Sequence, residues 1–144
     1  MTSLDIIIPV YNEEFALPIC IDKLSRFLSS DMPAYDWHII IADNGSTDST
    51  YKLANSLVSS GERIFVDHLE QKGRGRALYK TWSASNADII CYMDVDLSTC
   101  LTALPSLIKS VQSGYDIAIG CRLMKSSKVE KRTLKRELIS RCYN

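Results

Sequence analysis

Short apolar runs recur along this chain, and each gives way to a polar cluster. They are Leu4–Pro9 (LDIIIP), His38–Ala42 (HIIIA), Ile64–Val66 (IFV), Ile89–Met93 (IICYM) and Asp116–Gly120 (DIAIG). Between them apolar residues fall at helical spacing. Leu17, Cys20, Ile21, Leu24, Phe27 and Leu28 make one stripe; Leu53, Ala54, Leu57 and Val58 make a second. Ala77, Leu78 and Trp82 mark a third, and Leu101, Leu104, Leu107, Ile108 and Val111 a fourth. Strand-length runs alternating with amphipathic helices imply an α/β fold: a mainly parallel sheet with helices on both faces. Pro9 is expected to stop the first strand, and Pro18 suits the first turn of the first helix. Ile89–Met93 is apolar or aromatic apart from Cys91 and carries no charge, so it reads as a strand buried on both faces and central to the sheet.

The 144 residues suit one domain, and 46% apolar content supplies a sizeable core. A net charge of zero gives no global field toward nucleic acid. The charge is uneven, because Arg122–Arg141 holds eight Lys or Arg and only two Glu. That basic segment, a loop and helix over 123–144 with Leu134, Leu138 and Ile139, suits phosphates or an anionic membrane surface. Five cysteines include no Cys-x-x-Cys pair. Cys91 and Cys121 are expected inside strands, as small core residues of a reducing compartment. His38 and His68 have no ligand-spaced partner and receive no role. No apolar run approaches the roughly 18 residues of a membrane span, which points to a soluble, cytoplasmic chain.

In open α/β sheets, ligands bind beyond the carboxyl ends of the strands. Here those ends carry Tyr11 and Glu13, Asp43 and Asn44, Asp94 and Asp96, and Arg122. Asp94 and Asp96 are two apart, so in extended chain they point the same way. Paired carboxylates repel, and a divalent cation between them removes that cost. Hard cations such as Mg²⁺ take one or two carboxylates plus substrate phosphates. A nucleotide diphosphate sugar fits such a set. Asp43 or Asn44 could accept from the base, Glu13 or Asp94 from the ribose, and Asp94 with Asp96 could hold the metal. Arg122 suits the diphosphate. Lys72-Gly73-Arg74-Gly75-Arg76 could cradle phosphate, although its spacing is not that of a Walker A loop. Taken alone it reads as a turn and helix start.

Six segments together resemble the N-terminal half of family 2 inverting glycosyltransferases of the GT-A, Rossmann-like fold. They are IIIPVYNEE (Ile6–Glu14), IIIADNGSTDST (Ile39–Thr50), KGRGRAL (Lys72–Leu78), MDVDLS (Met93–Ser98), DIAIGCR (Asp116–Arg122) and VEKRTLKRELISRCYN (Val129–Asn144). The last two favour the dolichyl-phosphate mannose or glucose synthase branch. The resemblance implies that Pro9, Tyr11 and Glu13 belong to the nucleotide pocket, and that Asp43 and Asn44, beside Ala42, meet the base. Lys72, Gly73 and Arg76 would serve the donor phosphates. Asp94 and Asp96, with Val95 between them, would hold Mg²⁺ or Mn²⁺. Arg122 and Arg136 would approach the donor diphosphate and the acceptor phosphate, and with Asp96 form the catalytic set.

Two positions depart from the family pattern. Asn44 stands where an acidic residue is usual, which removes charge assistance at the base. Ser98 stands where the synthase branch often has Gln, so it is a weak metal ligand. The family's domain also continues past the point matching Asn144, so the chain reads as truncated on its C-terminal side. Core surface left open by that truncation favours self-association into a homo-oligomer. The implied reaction is transfer of a hexose from GDP-mannose or UDP-glucose to polyprenyl phosphate, at the cytoplasmic face of a membrane. The alternatives are transfer to a glycan hydroxyl, or nucleotide binding without transfer. A response-regulator-like domain shares the layered fold but wants a Lys after its last strand, where this chain has Arg122.

Overall fold

The computed structural model describes residues 1–70 and 72–121. Contacts divide the chain into a compact unit, Met1–Pro105, and a second beginning at Ser106.

The first unit is a four-stranded parallel sheet. Its strands are β1 (Thr2–Val10), β2 (Tyr35–Asp43), β3 (Ile64–His68) and β4 (Ile89–Tyr92), in the order β3-β2-β1-β4. The helices α1 (Ala16–Asp31), α2 (Thr50–Ser60) and α3 (Arg74–Ala84) connect them. β1 is the central strand. It pairs with β2 along its whole length, Thr2↔Tyr35 to Val10↔Asp43. It pairs with β4 over Leu4↔Ile89 to Ile7↔Tyr92.

The two-residue period of a strand sorts the core onto two faces. Ile7 and Ala42 pack with Leu69 and Ala77, and Ile40 and Leu78 close that cluster beneath α3. Ile6, Ile8, Ile39 and Ile41 point the other way, and all four are fully buried. α1 buries Leu17, Cys20, Ile21, Leu24 and Leu28, packs on β2 and touches α2. Helices therefore cover both faces, and the expected α/β class holds.

Three expectations about strands fail. Pro9 does not end β1. It lies beyond the last β4 pair, Ile7↔Tyr92, and stays in register with Ala42, so its missing N–H costs no bond between those two strands. β4 is neither central nor buried on both faces. It is the edge of the described sheet, and Ile90 and Tyr92 are 39% and 49% exposed. Asp116–Gly120 forms no strand. No described strand offers it a ladder, and Ile117 and Ile119 stay exposed.

The fourth helical stripe forms a short 3₁₀ turn, Leu101–Ala103, and then α4, Leu104–Gln112, which buries Leu104 and Ile108. Among the described residues no helix is long and apolar enough to cross a membrane. Cys20 is buried as expected, Cys91 is half-buried, and Cys121 is exposed because its strand does not form. Burial pushes the thiol of Cys91 up to about 11. Burial, reinforced by the negative field of Asp96, pushes that of Cys20 up to about 12. Both are protonated at neutral pH and poor nucleophiles.

Gly45 joins β2 to the next loop with φ of +70°. A Cβ there would lie 3.1 Å from the Leu69 carbonyl oxygen and 3.2 Å from that of Glu70. Gly45→Ala should therefore cost about 1–2 kcal/mol from the left-handed backbone alone. Urea unfolding should show a lower midpoint; an unchanged midpoint would contradict this packing.

Candidate functional site

With β1 flanked by β2 on one side and β4 on the other, the order of connection reverses at the carboxyl end of β1. Doubly wound sheets open a crevice at such a point. A cleft of about 350 Å³ lies there, lined by Pro9, Val10, Tyr11, Glu13, Asn44, Arg74, Asp94, Val95 and Asp96. Three strand ends that are distant in sequence thus converge.

The β1 and β2 loops are stitched together. Asn12, with φ of 55°, accepts at Oδ1 from Thr47 N (2.8 Å), and its own N–H donates to Ser46 Oγ (3.0 Å). Glu13 N donates to buried Thr50 Oγ1 at 2.8 Å, and Ser49 N donates to Glu14 Oε2 at 3.1 Å. These bonds hold Tyr11 and Glu13 against the end of β2. Lys72 lies over the Tyr11 ring, its ammonium 3.7 Å from the centroid, a cation–π contact.

Asp94 and Asp96 do share the cleft, but not by strand alternation. β4 ends at Tyr92, and Leu97 N donates to Asp94 O at 3.1 Å, closing a turn through Val95 and Asp96. Leu97 takes φ of 48°, a backbone region that costs a non-glycine residue energy and that clusters at functional sites. Val95 is buried and anchors the turn, while both carboxylates stay exposed. Asp96 Oδ1 accepts from Ser98 N at 2.9 Å. Asp94 Oδ1 pairs with the guanidinium of Arg74. Ser98 thus supports the turn through its backbone. Among the described residues no group of three His, Cys, Asp or Glu assembles. Among the described residues the two carboxylates, each with one oxygen engaged, could hold a hard cation only if phosphate or water oxygens completed its shell. That composition fits Mg²⁺ or Mn²⁺.

The expected base-binding pair divides. Asp43 has no exposed surface and does not line the cleft. Its Oδ2 meets His68 Nδ1 at 2.6 Å, because β2–β3 register sets Asp43 opposite His68. Tyr51 stacks on that imidazole with ring centroids 4.1 Å apart. Asp43 Oδ1 is buried without a hydrogen-bond partner. Asn44 alone of the pair reaches the cleft, with its Oδ1 accepting from Gly73 N at 2.5 Å.

Other expected positions shift as well. Gly73 caps α3, so Gly75 and Arg76 lie in its first turn rather than in a free loop. Arg74, not Lys72, Gly73 or Arg76, lines the cleft. Ala42 belongs to the core beneath α3. Arg122, Arg136 and the basic helix lie outside the described residues.

The sequence gives His68 no role, and it includes Arg74 only as part of the KGRGR segment without singling it out. Cross-strand register, which no spacing rule reveals, pairs His68. The helix start at Arg74 selects which basic residue of KGRGR faces the carboxylates.

The sequence profile for glycosyl transferase family 2 matches residues 5–144. The chain belongs to glycosyl transferase family 2. It is similar to glycosyltransferase AglD of Haloferax volcanii, with 34% identity over 99% of this chain and 23% of that protein. It is also similar to the dolichol-phosphate mannosyltransferase of Pyrococcus furiosus, with 30% identity over 96% of this chain and 38% of that protein. The chain thus spans about a quarter to two fifths of the length of these curated relatives. Among solved structures it resembles glucosyl-3-phosphoglycerate synthase of Mycobacterium tuberculosis in complex with Mn²⁺ and UDP-glucose. The TM-score is 0.55, with 25% identity over 78% of this chain and 40% of that one. The family 2 chain therefore has the GT-A architecture that its motifs imply.

His68→Ala would strip a fully buried carboxylate of its nearest partner. Leaving a buried acceptor unsatisfied costs about 1–3 kcal/mol. The expected outcome is a lower denaturant midpoint at neutral pH. His68→Asn, which keeps a donor, should recover part of the loss. An unchanged midpoint in both variants would show that the pair carries no stability.

Proposed function

We propose that the cleft beyond β1, β2 and β4 holds a nucleotide diphosphate sugar, of GDP-mannose or UDP-glucose type. The chain is then the donor side of an inverting hexosyl transfer to polyprenyl phosphate. The observation that carries this reading is the meeting of Asp94 and Asp96 with Tyr11, Glu13 and Asn44 in one cleft. Support comes from the solved relative that holds Mn²⁺ with UDP-glucose, and from the relative named for dolichol phosphate.

Asn44 and Tyr11 lie at the base end of the cleft and Glu13 meets the ribose. Asp94 and Asp96 take the diphosphate end, with Arg74 beside them. A divalent cation bound there would neutralise charge on the departing diphosphate. The free oxygen of each carboxylate would hold the cation, and the Arg74 guanidinium beside Asp94 would be placed to pair with a donor phosphate oxygen. The engaged oxygens of Asp94 and Asp96 keep both carboxylates oriented before the ligand binds.

In the transfer, an acceptor phosphate oxygen forms a bond to the anomeric carbon from the face opposite the leaving group. The bond from that carbon to the diphosphate oxygen breaks, and its electron pair departs with the nucleoside diphosphate. A phosphate monoester has its second pKa near ~6, so it is mostly dianionic at neutral pH. It needs no side chain to take a proton, unlike a glycan hydroxyl. Arg122 beside the diphosphate, and Lys131, Arg132, Lys135 and Arg136 near the lipid phosphate and membrane surface, complete the proposal from the sequence.

Asp96→Ala should lower Mn²⁺-dependent affinity for GDP or UDP, measured by calorimetry, by at least about tenfold, or ~1.4 kcal/mol. Thermal stability should change little, because the Asp96 side chain is exposed. Unchanged metal-dependent binding would remove Asp96 from the site. An assay of sugar transfer to polyprenyl phosphate against oligosaccharide acceptors tests the acceptor. Transfer to the oligosaccharide alone would overturn that part.

A further inference from the structure

Three consecutive backbone N–H groups of the loop after β1 are taken by side chains of the segment that leads into α2. Asn12 N donates to Ser46 Oγ at 3.0 Å, Glu13 N to Thr50 Oγ1 at 2.8 Å, and Glu14 N to the Asp48 carboxylate. Bonds also run the other way. Thr47 N donates to Asn12 Oδ1 at 2.8 Å, and Ser49 N to Glu14 Oε2 at 3.1 Å. Asn12 takes φ of 55° within this interlock, a backbone region that asparagine tolerates better than most residues. Each segment is thus fixed through the other.

Thr50 is fully buried and opens α2. Its N–H donates to Asp48 Oδ1 at 2.9 Å, and its hydroxyl donates to the same carboxylate. Desolvation pushes the Asp48 carboxyl up, but the bonds from Thr50 and from backbone N–H groups, that of Glu14 among them, outweigh it and hold the group below its ordinary value. A hydroxyl that donates its proton keeps its oxygen as an acceptor. A charged partner behind it strengthens the bond that oxygen receives. Here the oxygen receives Glu13 N–H. Glu13 O in turn accepts from Leu17 N at 2.9 Å, in the first turn of α1. Both backbone groups of Glu13 are therefore engaged, and the residue lines the cleft.

Resting on the donor-site reading above, we infer that Thr50 is a positioning residue, whose hydroxyl sets the place of the Glu13 carboxylate at the ribose of the donor. A vicinal diol offers two O–H donors, and one carboxylate can accept both. Such O–H···O⁻ bonds are short, about 2.5–2.7 Å, so a shift of about 1 Å in the loop would spoil them. Thr50 acts on the carboxylate through the Glu13 backbone. Valine has nearly the same shape but no acceptor, so in its place the Glu13 N–H would lose its partner and the loop its tie to α2. Serine would keep the oxygen. Ser46 and Asp48 hold the neighbouring N–H groups, while Thr50 holds that of Glu13 itself.

The experiment is calorimetry with Mn²⁺ and UDP or GDP, each against its 2′,3′-dideoxy analogue, on the wild-type chain, Thr50→Val and Thr50→Ser. The wild type should prefer the nucleotide with ribose hydroxyls by about tenfold or more. Thr50→Val should cut that preference at least about threefold while binding stays Mn²⁺-dependent, and Thr50→Ser should keep it. A Thr50 that serves stability alone would lower the unfolding midpoint of Thr50→Val and leave the preference intact, and that result would overturn the inference. So would a Thr50→Ser protein that loses the preference as fully as Thr50→Val. If Thr50→Val does not fold, judged by circular dichroism, Asp48→Ala decides, because it frees the Thr50 hydroxyl. A lower preference supports the inference and an unchanged one overturns it. Wild-type protein that binds neither nucleotide would overturn the donor-site reading as well. Wild-type binding that ignores the ribose hydroxyls overturns only the role of Thr50 and Glu13.

Discussion

Parallel pairing of β1 with neighbours on both sides is the constraint from which the rest of the structure follows. β1 is buried along most of its length, and its Ile6, Ile7 and Ile8 serve both faces of the sheet. Burying three such side chains stabilises by roughly 1.5–3 kcal/mol each. That apolar centre fixes the register of β2 and β4, and register decides which polar residues surface together. Strand pairing brings Tyr11, Asn44 and Asp96 to one opening, although they lie far apart in sequence. The cleft is a consequence of topology before it is a matter of chemistry.

The chemistry is then set by what the loops do with their spare hydrogen bonds. The glycine-rich turn is tied to Asn44, the β1 loop to Ser46, Thr47 and Thr50, and the Asp94–Asp96 turn to Arg74 and Ser98. Each tie spends one acceptor or donor and leaves its neighbour facing the opening. A site assembled this way is held in place before a ligand arrives, which lowers the ordering cost of binding. The Arg74–Asp94 pair is more than half exposed on both sides, so it adds little to stability. Its effect falls on the charge of the cleft.

Much of the layout was legible in the sequence because the underlying periods are strong. The helical stripes from Leu17 to Leu28 and from Leu101 to Val111 became helices. The paired acids after the fourth apolar run came to the cleft. The failures share a cause. Whether an apolar run is central or at an edge depends on what pairs with it, and no single segment contains that information. Ile89–Met93 therefore looked doubly buried yet sits at the edge of the described sheet. Asp116–Gly120 looked like a strand yet has no described partner. Asp43, expected at the base, faces His68 through strand register, while Asn44 lines the cleft. The sequence named most of the residues that line the cleft, and tertiary pairing decided which of its candidates face it.

The central claim is that a divalent cation and a nucleoside diphosphate bind together at the β1–β4 opening. Amide spectra of the isotope-labelled chain, recorded with substoichiometric Mn²⁺ and GDP or UDP, test it most directly, because the paramagnetic ion broadens signals near it. Selective loss of the Asp94, Val95, Asp96 and Tyr11 signals, with Thr2, Tyr35 and Asp88 at the amino ends of the strands left sharp, is the predicted result. Broadening centred on those amino ends, or none that depends on the nucleotide, would contradict the account.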